Sequence, residues 1–276
     1  SHGVDALPSA GDVQTGLSLF ADPDNVEVSL LFSAGDALNA TTVAAQLVTL
    51  VNSRRDAVAF VSPPIEASVN ASDETGVTAW AASLGADSSY VVIDSTALKV
   101  YDKYNDVYRW ITAAGHVAGL CAYTDKVADT WFSPAGAARG ALLGVTKLAF
   151  NPNKAQRDAL FNVSVNPIIS TPGEGTILFG DKTALKKPSA FDAINVRRLF
   201  IALEKSITRS AKAQLFEFND EFTRAAFRNA VEPFLRDVQG RRGITDFKVV
   251  CDSTNNTGDI IDRNQFRSEE HTSELQ

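Results

Sequence analysis

Residues 196–252 read VRRLFIALEKSITRSAKAQLFEFNDEFTRAAFRNAVEPFLRDVQGRRGITDFKVVCD. Val196, Leu199, Phe200, Leu203 and Ile207 recur at spacings of three and four, which places them on one stripe of an amphipathic helix. Arg197, Arg198, Lys205, Arg209 and Lys212 fall mostly off that stripe, as solvated residues would. Asn219 or Asp220 is suited to cap a second helix, with Glu221 favourable in its first turn. Its stripe is Phe222, Phe227, Val231, Phe234, Leu235 and Val238. Pro233 either kinks this helix or restarts it, and Gly240 suits the residue just past its end. Phe247–Cys251 reads as a strand. The second half is therefore a helix-rich unit closed by a strand.

The preceding sequence has another rhythm. Residues 1–25 read as a connector, ending in the turn-like Ala21-Asp22-Pro23-Asp24-Asn25. Val26–Phe32 reads as a strand broken at Gly35-Asp36, and Thr41–Ser53 as a helix capped by Asn39 or Thr41. Ala57–Val61 is a wholly apolar strand, Thr75–Leu84 a helix and Ser88–Asp94 a strand. Strand, helix, strand with continuous apolar strands predicts βαβ units around a sheet covered on both faces. Leu98–Ile111 reads as a hairpin, Ala113–Thr124 as a helix, Trp131–Gly140 as a loop and Gly144–Phe150 as a strand. Lys154–Asn162 reads as a helix with Pro152 in its first turn. Val165–Ser170 and Gly175–Gly180 are strands around the turn Thr171-Pro172-Gly173.

Of 276 residues, 45% are hydrophobic and 21% charged, which is globular composition. The net charge of −7 argues against a nucleic-acid grip, which needs a basic face. Residues 1–150 carry 8 Lys/Arg and 16 Asp/Glu; residues 151–276 carry 18 and 17. That asymmetry suits either a particle whose two surfaces meet different partners or two domains of different composition. No apolar run reaches the length of a membrane span, and residues 1–11 lack a secretory leader's basic-then-apolar order. The chain has no Met, and residues 267–276, RSEEHTSELQ, resemble the translation of a sequencing adapter, so that stretch is expected to be an artefactual tail on a fragment.

Reactive chemistry is sparse. Cys121 and Cys251 sit in apolar surroundings and are expected to be buried thiols rather than a zinc site or a disulfide framework. Of three histidines, His2 lies at the N-terminus and His271 in the suspected tail. His116 stands five residues before Cys121, a spacing that puts them on different helix faces, so a packed histidine is the expectation. Gly173-Glu174-Gly175-Thr176 and Gly180-Asp181-Lys182-Thr183 lack the spacing and following helix of phosphate loops and read as turns. Asp252, Thr254, Asn256, Asp259 and Asp262 lack the glycine and terminal glutamate of an EF-hand and read as a solvated turn. The sequence implies no cofactor and no catalytic residue.

The segments LAFNPNKAQRDALF, GEGTILFGDKTAL, SAFDAINVRRLFIALEKSI and the run from LFEFNDEF to NNTGDIID resemble the tail sheath proteins of T4-like contractile-tailed bacteriophages, in register from about Asp22 to Asp262. The resemblance implies an α/β (α+β) chain: a subtilisin-like α/β sandwich over residues 26–165, then a helix-rich, tube-proximal α+β domain over 166–266. It implies a structural virion subunit, assembled in the bacterial host cytoplasm into six-fold rings. Its partners would be itself, the tail tube protein, the baseplate and the tail terminator, with no nucleic acid and no membrane insertion. Family position and charge make Arg224, Arg228, Arg236, Arg241 and Arg242 candidates for tube contact. Phe247, Val249 and Cys251 are candidates for inter-subunit strand pairing, at an edge expected to be unpaired here. The alternatives are the sheath of a type VI secretion system or tailocin, and an α/β hydrolase-like enzyme with an unrecognised site.

Overall fold

The computed structural model describes residues 8–32, 40–263 and 265–274. Gly35-Asp36, Asn39 and His2 lie outside the described residues. The chain divides into two compact units, Ser1–Arg198 and Leu199–Gln276, and the helix α6 (Ile194–Lys212) belongs partly to each.

The first unit is built on a parallel sheet of order β1-β2-β3-β7, formed by β1 (Leu30–Phe32), β2 (Val58–Val61), β3 (Val91–Asp94) and β7 (Val165–Asn166). Leu30 pairs with Val58, Ala59 with Val91 and Ile93 with Val165. Every residue of β2 and β3 is buried, as the unbroken apolar runs predict for a sheet covered on both sides. The strand period of two sorts them. Ala57, Ala59, Val61, Val91 and Ile93 pack with Leu47 and Val51 of α2 (Ala40–Arg54) and with Val77 and Trp80 of α3 (Thr75–Leu84). Against the sheet also lies α4 (Ala114–Val127), where Gly115 meets the Phe32 ring so closely that a Cβ would stand 3.3 Å from it. Trp80 donates its indole N–H to Thr41 Oγ1 at 3.0 Å, so Thr41 serves as an acceptor inside α2 rather than as its cap.

Within the stretch expected as a connector, the described residues 8–25 include a helix. Ser9 caps α1 (Ala10–Ser18) in a reciprocal capping box with Asp12, and α1 packs on α2. The following turn is tied down by buried Arg54, which reaches the carbonyls of Phe20 and Val26 and pairs with Asp56 at 2.9 Å. This tethering consumes much of the stretch expected as one long strand, and only Leu30–Phe32 enters the sheet.

An antiparallel sheet of order β5-β4-β6 is formed by β4 (Leu98–Asp102), β5 (Val107–Ile111) and β6 (Val145–Leu148). Helix α5 (Lys154–Asn162) begins at an Asn153 capping box with Gln156, so Pro152 stands before the cap, not in the first turn. Pro167 interrupts the expected strand between β7 and β8 (Ile168–Thr171), since it cannot donate to a ladder. β8 pairs with β9 (Gly175–Leu178) across a turn whose Gly173 and Gly175 hold φ of 93° and 75°.

In the second unit α7 (Glu221–Gly240) packs on β10 (Ile244–Val250), and α8 (Gly258–Asp262) and β11 (Glu269–Glu274) follow. Asp220 caps α7 by accepting from Thr223 N at 2.8 Å. Pro233 lies inside a single continuous helix. Phe227, Val231, Leu235 and Val238 are its buried stripe, whereas Phe222 is exposed. The helix ends in a Schellman arrangement: Gly243 N–H donates to Val238 O and Arg242 N–H to Gln239 O. The left-handed residue there is Arg242, at φ 67°, not Gly240.

Candidate functional site

The first unit buries its reactive groups. Cys121 is sealed inside α4, and burial pushes its thiol up to about 12, so no thiolate nucleophile forms near neutrality. His116 is half-buried, and desolvation lowers its pKa, holding it neutral. Asp181 is pushed up to about 6 by burial, with hydrogen bonds from Ser133 and the first N–H groups of α6 pulling the other way. Lys182 is pinned through its backbone: its N–H donates to Asn166 Oδ1 at 2.7 Å and its carbonyl accepts from Asn166 Nδ2 at 2.7 Å. The Gly180–Thr183 turn is therefore filled by Asn166 rather than open to a phosphate. Among the described residues no group of His, Cys, Asp or Glu is placed to hold a metal ion.

The arginines at the start of α6 differ from expectation. Arg197 and Arg198 are buried. Arg198 chelates both carboxylate oxygens of Asp125 at 2.7 and 2.6 Å and donates to Cys121 O. Arg197 lies between the Tyr90 and Phe191 rings, 4.3 and 4.0 Å from their centroids. Both arginines therefore tie the first turns of α6 to groups of the first unit. Their proximity to the apolar stripe was the available signal, since a long arginine stem covers apolar surface readily.

The five candidate tube-contact arginines separate into two groups. Arg224 is buried, donating to the Asn219 carbonyl and side chain at 3.1 and 2.8 Å. Arg228 reaches the Cys251 carbonyl and pairs with Glu221 at 2.7 Å. These two order the second unit from within. Arg236, Arg241 and Arg242 are exposed, Arg241 standing 3.6 Å from Asp237. Arg236 borders a shallow depression beside Pro233 with Asn229, Glu232 and Asp237.

β10 is paired along one side. It pairs antiparallel with β11, Phe247 opposite Thr272 and Val249 opposite Glu270, so the stretch set aside as a tail supplies a strand. Cys251 lies one residue beyond β10, buried, its thiol pushed up to about 11 by desolvation. The lead into β11 is held by backbone: Asn256 donates to Arg267 O at 2.8 Å and accepts from Arg267 N at 2.9 Å, and Asn219 donates to Gln265 O at 2.8 Å. Asn256 is buried and serves this clamp, and Asp252 caps its own turn by accepting from Thr254 N at 2.8 Å, which accounts for the Asn- and Asp-rich loop without a cation. No third strand joins the β10–β11 sheet among the described residues.

The first unit is a parallel-sheet α/β unit, and the second is helix-rich and closed by a two-stranded sheet. Residues 9–184 match the phage tail sheath protein central domain and residues 186–269 the phage tail sheath C-terminal domain; the chain belongs to the phage tail sheath family. It is 42% identical to the tail sheath protein of Vibrio phage KVP40 over 96% of its own length and 42% of that protein's. It is 43% identical to the tail sheath protein of Enterobacteria phage T4, over 94% and 41% of the two lengths. It thus spans less than half of these relatives. Its fold is similar to that of the anti-feeding prophage helical sheath in its contracted state, with a TM-score of 0.79 at 20% identity, over 99% of this chain and 73% of that one.

Proposed function

We propose that the chain is the central and C-terminal part of a contractile tail sheath subunit, which stacks in six-fold rings around a tail tube and contracts to drive the tube through a host envelope. The observation that carries this is the ordered match to both sheath family models, with 42% and 43% identity to phage tail sheath proteins over nearly the whole chain. That identity, against 20% to the anti-feeding prophage sheath, favours a phage tail over another injection system. The first unit supplies the subtilisin-like part in topology only. The second unit faces the tube through Arg236, Arg241 and Arg242, with Arg224 and Arg228 holding the helix that presents them. Phe247 and Val249 mark the strand edge through which neighbouring subunits link, with Cys251 buried just beyond it and β11 occupying the position of a donated strand.

The energy source in this reading is conformational. Subunits assemble in a metastable extended state and release energy as they rotate into larger interfaces, without a cofactor. The virion partners are the tube protein, the baseplate and the tail terminator, and assembly takes place in the host cytoplasm. The test is electron microscopy of the full-length protein co-expressed with its tube protein. Six-fold rings and tubes in an extended and a contracted form are expected. Replacing Arg236, Arg241 and Arg242 together by Glu should lower tube decoration most at low salt. A full-length protein that never polymerises in the presence of tube and baseplate would refute the assignment.

A further inference from the structure

Two exposed surfaces are left unexplained by packing within the chain. The first is the turn joining α6 to α7. Leu215, Phe216, Phe218 and Phe222 all project from it: Phe216 is fully exposed, and Phe218 and Phe222 are 84% and 83% exposed. Phe216 also holds a φ of 71°, a left-handed conformation rare for a bulky residue. Contiguous apolar surface of this kind is uncommon on a monomer and marks an interaction site. Glu217 and Asp220 lie among these aromatics, and residues 213–222 contain no Lys or Arg, while Glu221 is held by Arg228 and Arg224 at 2.7 and 3.3 Å.

The second is the outward face of the β5-β4-β6 sheet. Lys99 stands opposite Trp110 on one side and Lys147 on the other, and Tyr101 stands opposite Tyr108, so strand register puts all five on one face. Lys99 Nζ lies 5.7 Å from the Tyr108 ring centre and 5.5 Å from that of Trp110. At the hairpin end Lys103 covers Tyr104, which is 87% exposed. Lys99, Lys103 and Lys147 are three of the 8 Lys/Arg in residues 1–150, which carry 16 Asp/Glu; Arg109, opposite Val100, lies on the other face and pairs with Asp102 at 2.9 Å. The sheet thus sets three lysines beside an aromatic platform in an acidic region.

We propose that the acidic aromatic α6–α7 turn of one copy docks on the basic aromatic face of the β5-β4-β6 sheet of a second copy. The two surfaces match in kind, rings against rings, and are opposite in charge. They are different surfaces, so the contact is heterologous: a pair of copies keeps one unused turn and one unused face, and association propagates into rings or filaments instead of stopping at a dimer. The inference rests on the self-assembling reading above and names one surface pair for it. A contact of this size belongs with the weaker interfaces, so it requires high concentration and weakens with salt.

Sedimentation velocity of the full chain across concentration and salt tests the contact. One variant carries Phe216→Ser and Phe218→Ser; the other carries Lys99→Glu and Lys147→Glu. Circular dichroism checks that both fold. Wild type should form species that grow with concentration, and each variant alone should associate at least tenfold more weakly. An equimolar mixture of the two variants should form one-to-one pairs that grow no further, because only one intact turn and one intact face remain between them. Adding Glu217→Lys to the lysine variant should restore growth. The proposal is overturned if wild type stays monomeric, if either variant associates as wild type does, or if the mixture stays monomeric. The sheath assignment itself is judged separately, by six-fold rings of the full-length protein.

Discussion

Replacing Asp94 by Asn should invert the order of stability of variant and wild type between pH 4 and pH 8. Asp94 ends β3 at 2% exposure; its Oδ2 accepts from the Ser62 hydroxyl, which itself accepts the Ala114 N–H at 2.9 Å, and its Oδ1 has no partner. Burial outweighs these bonds and pushes the carboxyl up to about 7, from 3.8. Between those values the native state holds a proton that the unfolded chain has released, so stability falls as pH rises through the window and levels off above it. A shift of about three units at about 1.4 kcal/mol each amounts to about 4 kcal/mol between pH 4 and 8. Asn keeps an acceptor for Ser62 but places an amide where Oδ1 found no partner, at a cost of about 1–3 kcal/mol. The variant should therefore be less stable than wild type near pH 4 and more stable by about 1–3 kcal/mol at pH 8. Asp181, also raised, contributes equally to both proteins and cancels in the difference. Denaturant titrations at a series of pH values provide the measurement. Tryptophan fluorescence reports on the first unit, because Trp80, Trp110 and Trp131 all lie in it. Parallel stability curves for the two proteins would refute the reasoning.

Three further outcomes are expected. Arg54→Ala removes the buried guanidinium that pairs with Asp56 and frees the carbonyls of Phe20 and Val26; it should cost about 3–5 kcal/mol and make residues 20–26 susceptible to limited proteolysis. Arg242→Gly relieves a left-handed backbone at the end of α7 and should raise stability by about 0.5–1 kcal/mol in denaturant titration, despite the added freedom of the unfolded chain. Phe227→Ala empties a buried site whose ring meets Phe266 edge-on at 5.6 Å; it should cost about 3–5 kcal/mol and raise amide exchange along α7 and β10.

What the sequence made legible was whatever is governed by local period. The βαβ order, the hairpin at 98–111, α3 and α5 with their bounds, and the α6 and α7 helices follow from spacing alone. What it hid depends on contacts distant in sequence. Helix α1 is short and mostly exposed, with a weak apolar stripe, and it is fixed by a capping box and by packing on α2. Arg197 and Arg198 look solvated by position, yet their partners Tyr90 and Asp125 come from the turn before β3 and from α4, far upstream. The same holds for Arg224 and Arg228: the pattern shows that they are basic and on a helix, but only the fold shows that Asn219 and the Cys251 carbonyl claim them. Phe222 counts as apolar in any stripe, and only the register of α7 turns it outward.

The β10–β11 pair shows why one feature resisted sequence reading altogether. Residues 269–274 read EEHTSE, with no apolar side chain to alternate and no strand signal of the ordinary kind. What places them is the partner. β10 offers a ladder of backbone donors and acceptors, and any extended segment delivered alongside can satisfy it. Delivery is also backbone-directed, since Asn256 and Asn219 grip main-chain groups of Arg267 and Gln265, while Phe266 supplies the apolar anchor against Phe227. A strand held this way is specified by where the chain is clamped and scarcely by its own side chains. In the proposed linkage through Phe247 and Val249, an extended segment of another subunit would take the place that β11 holds on β10.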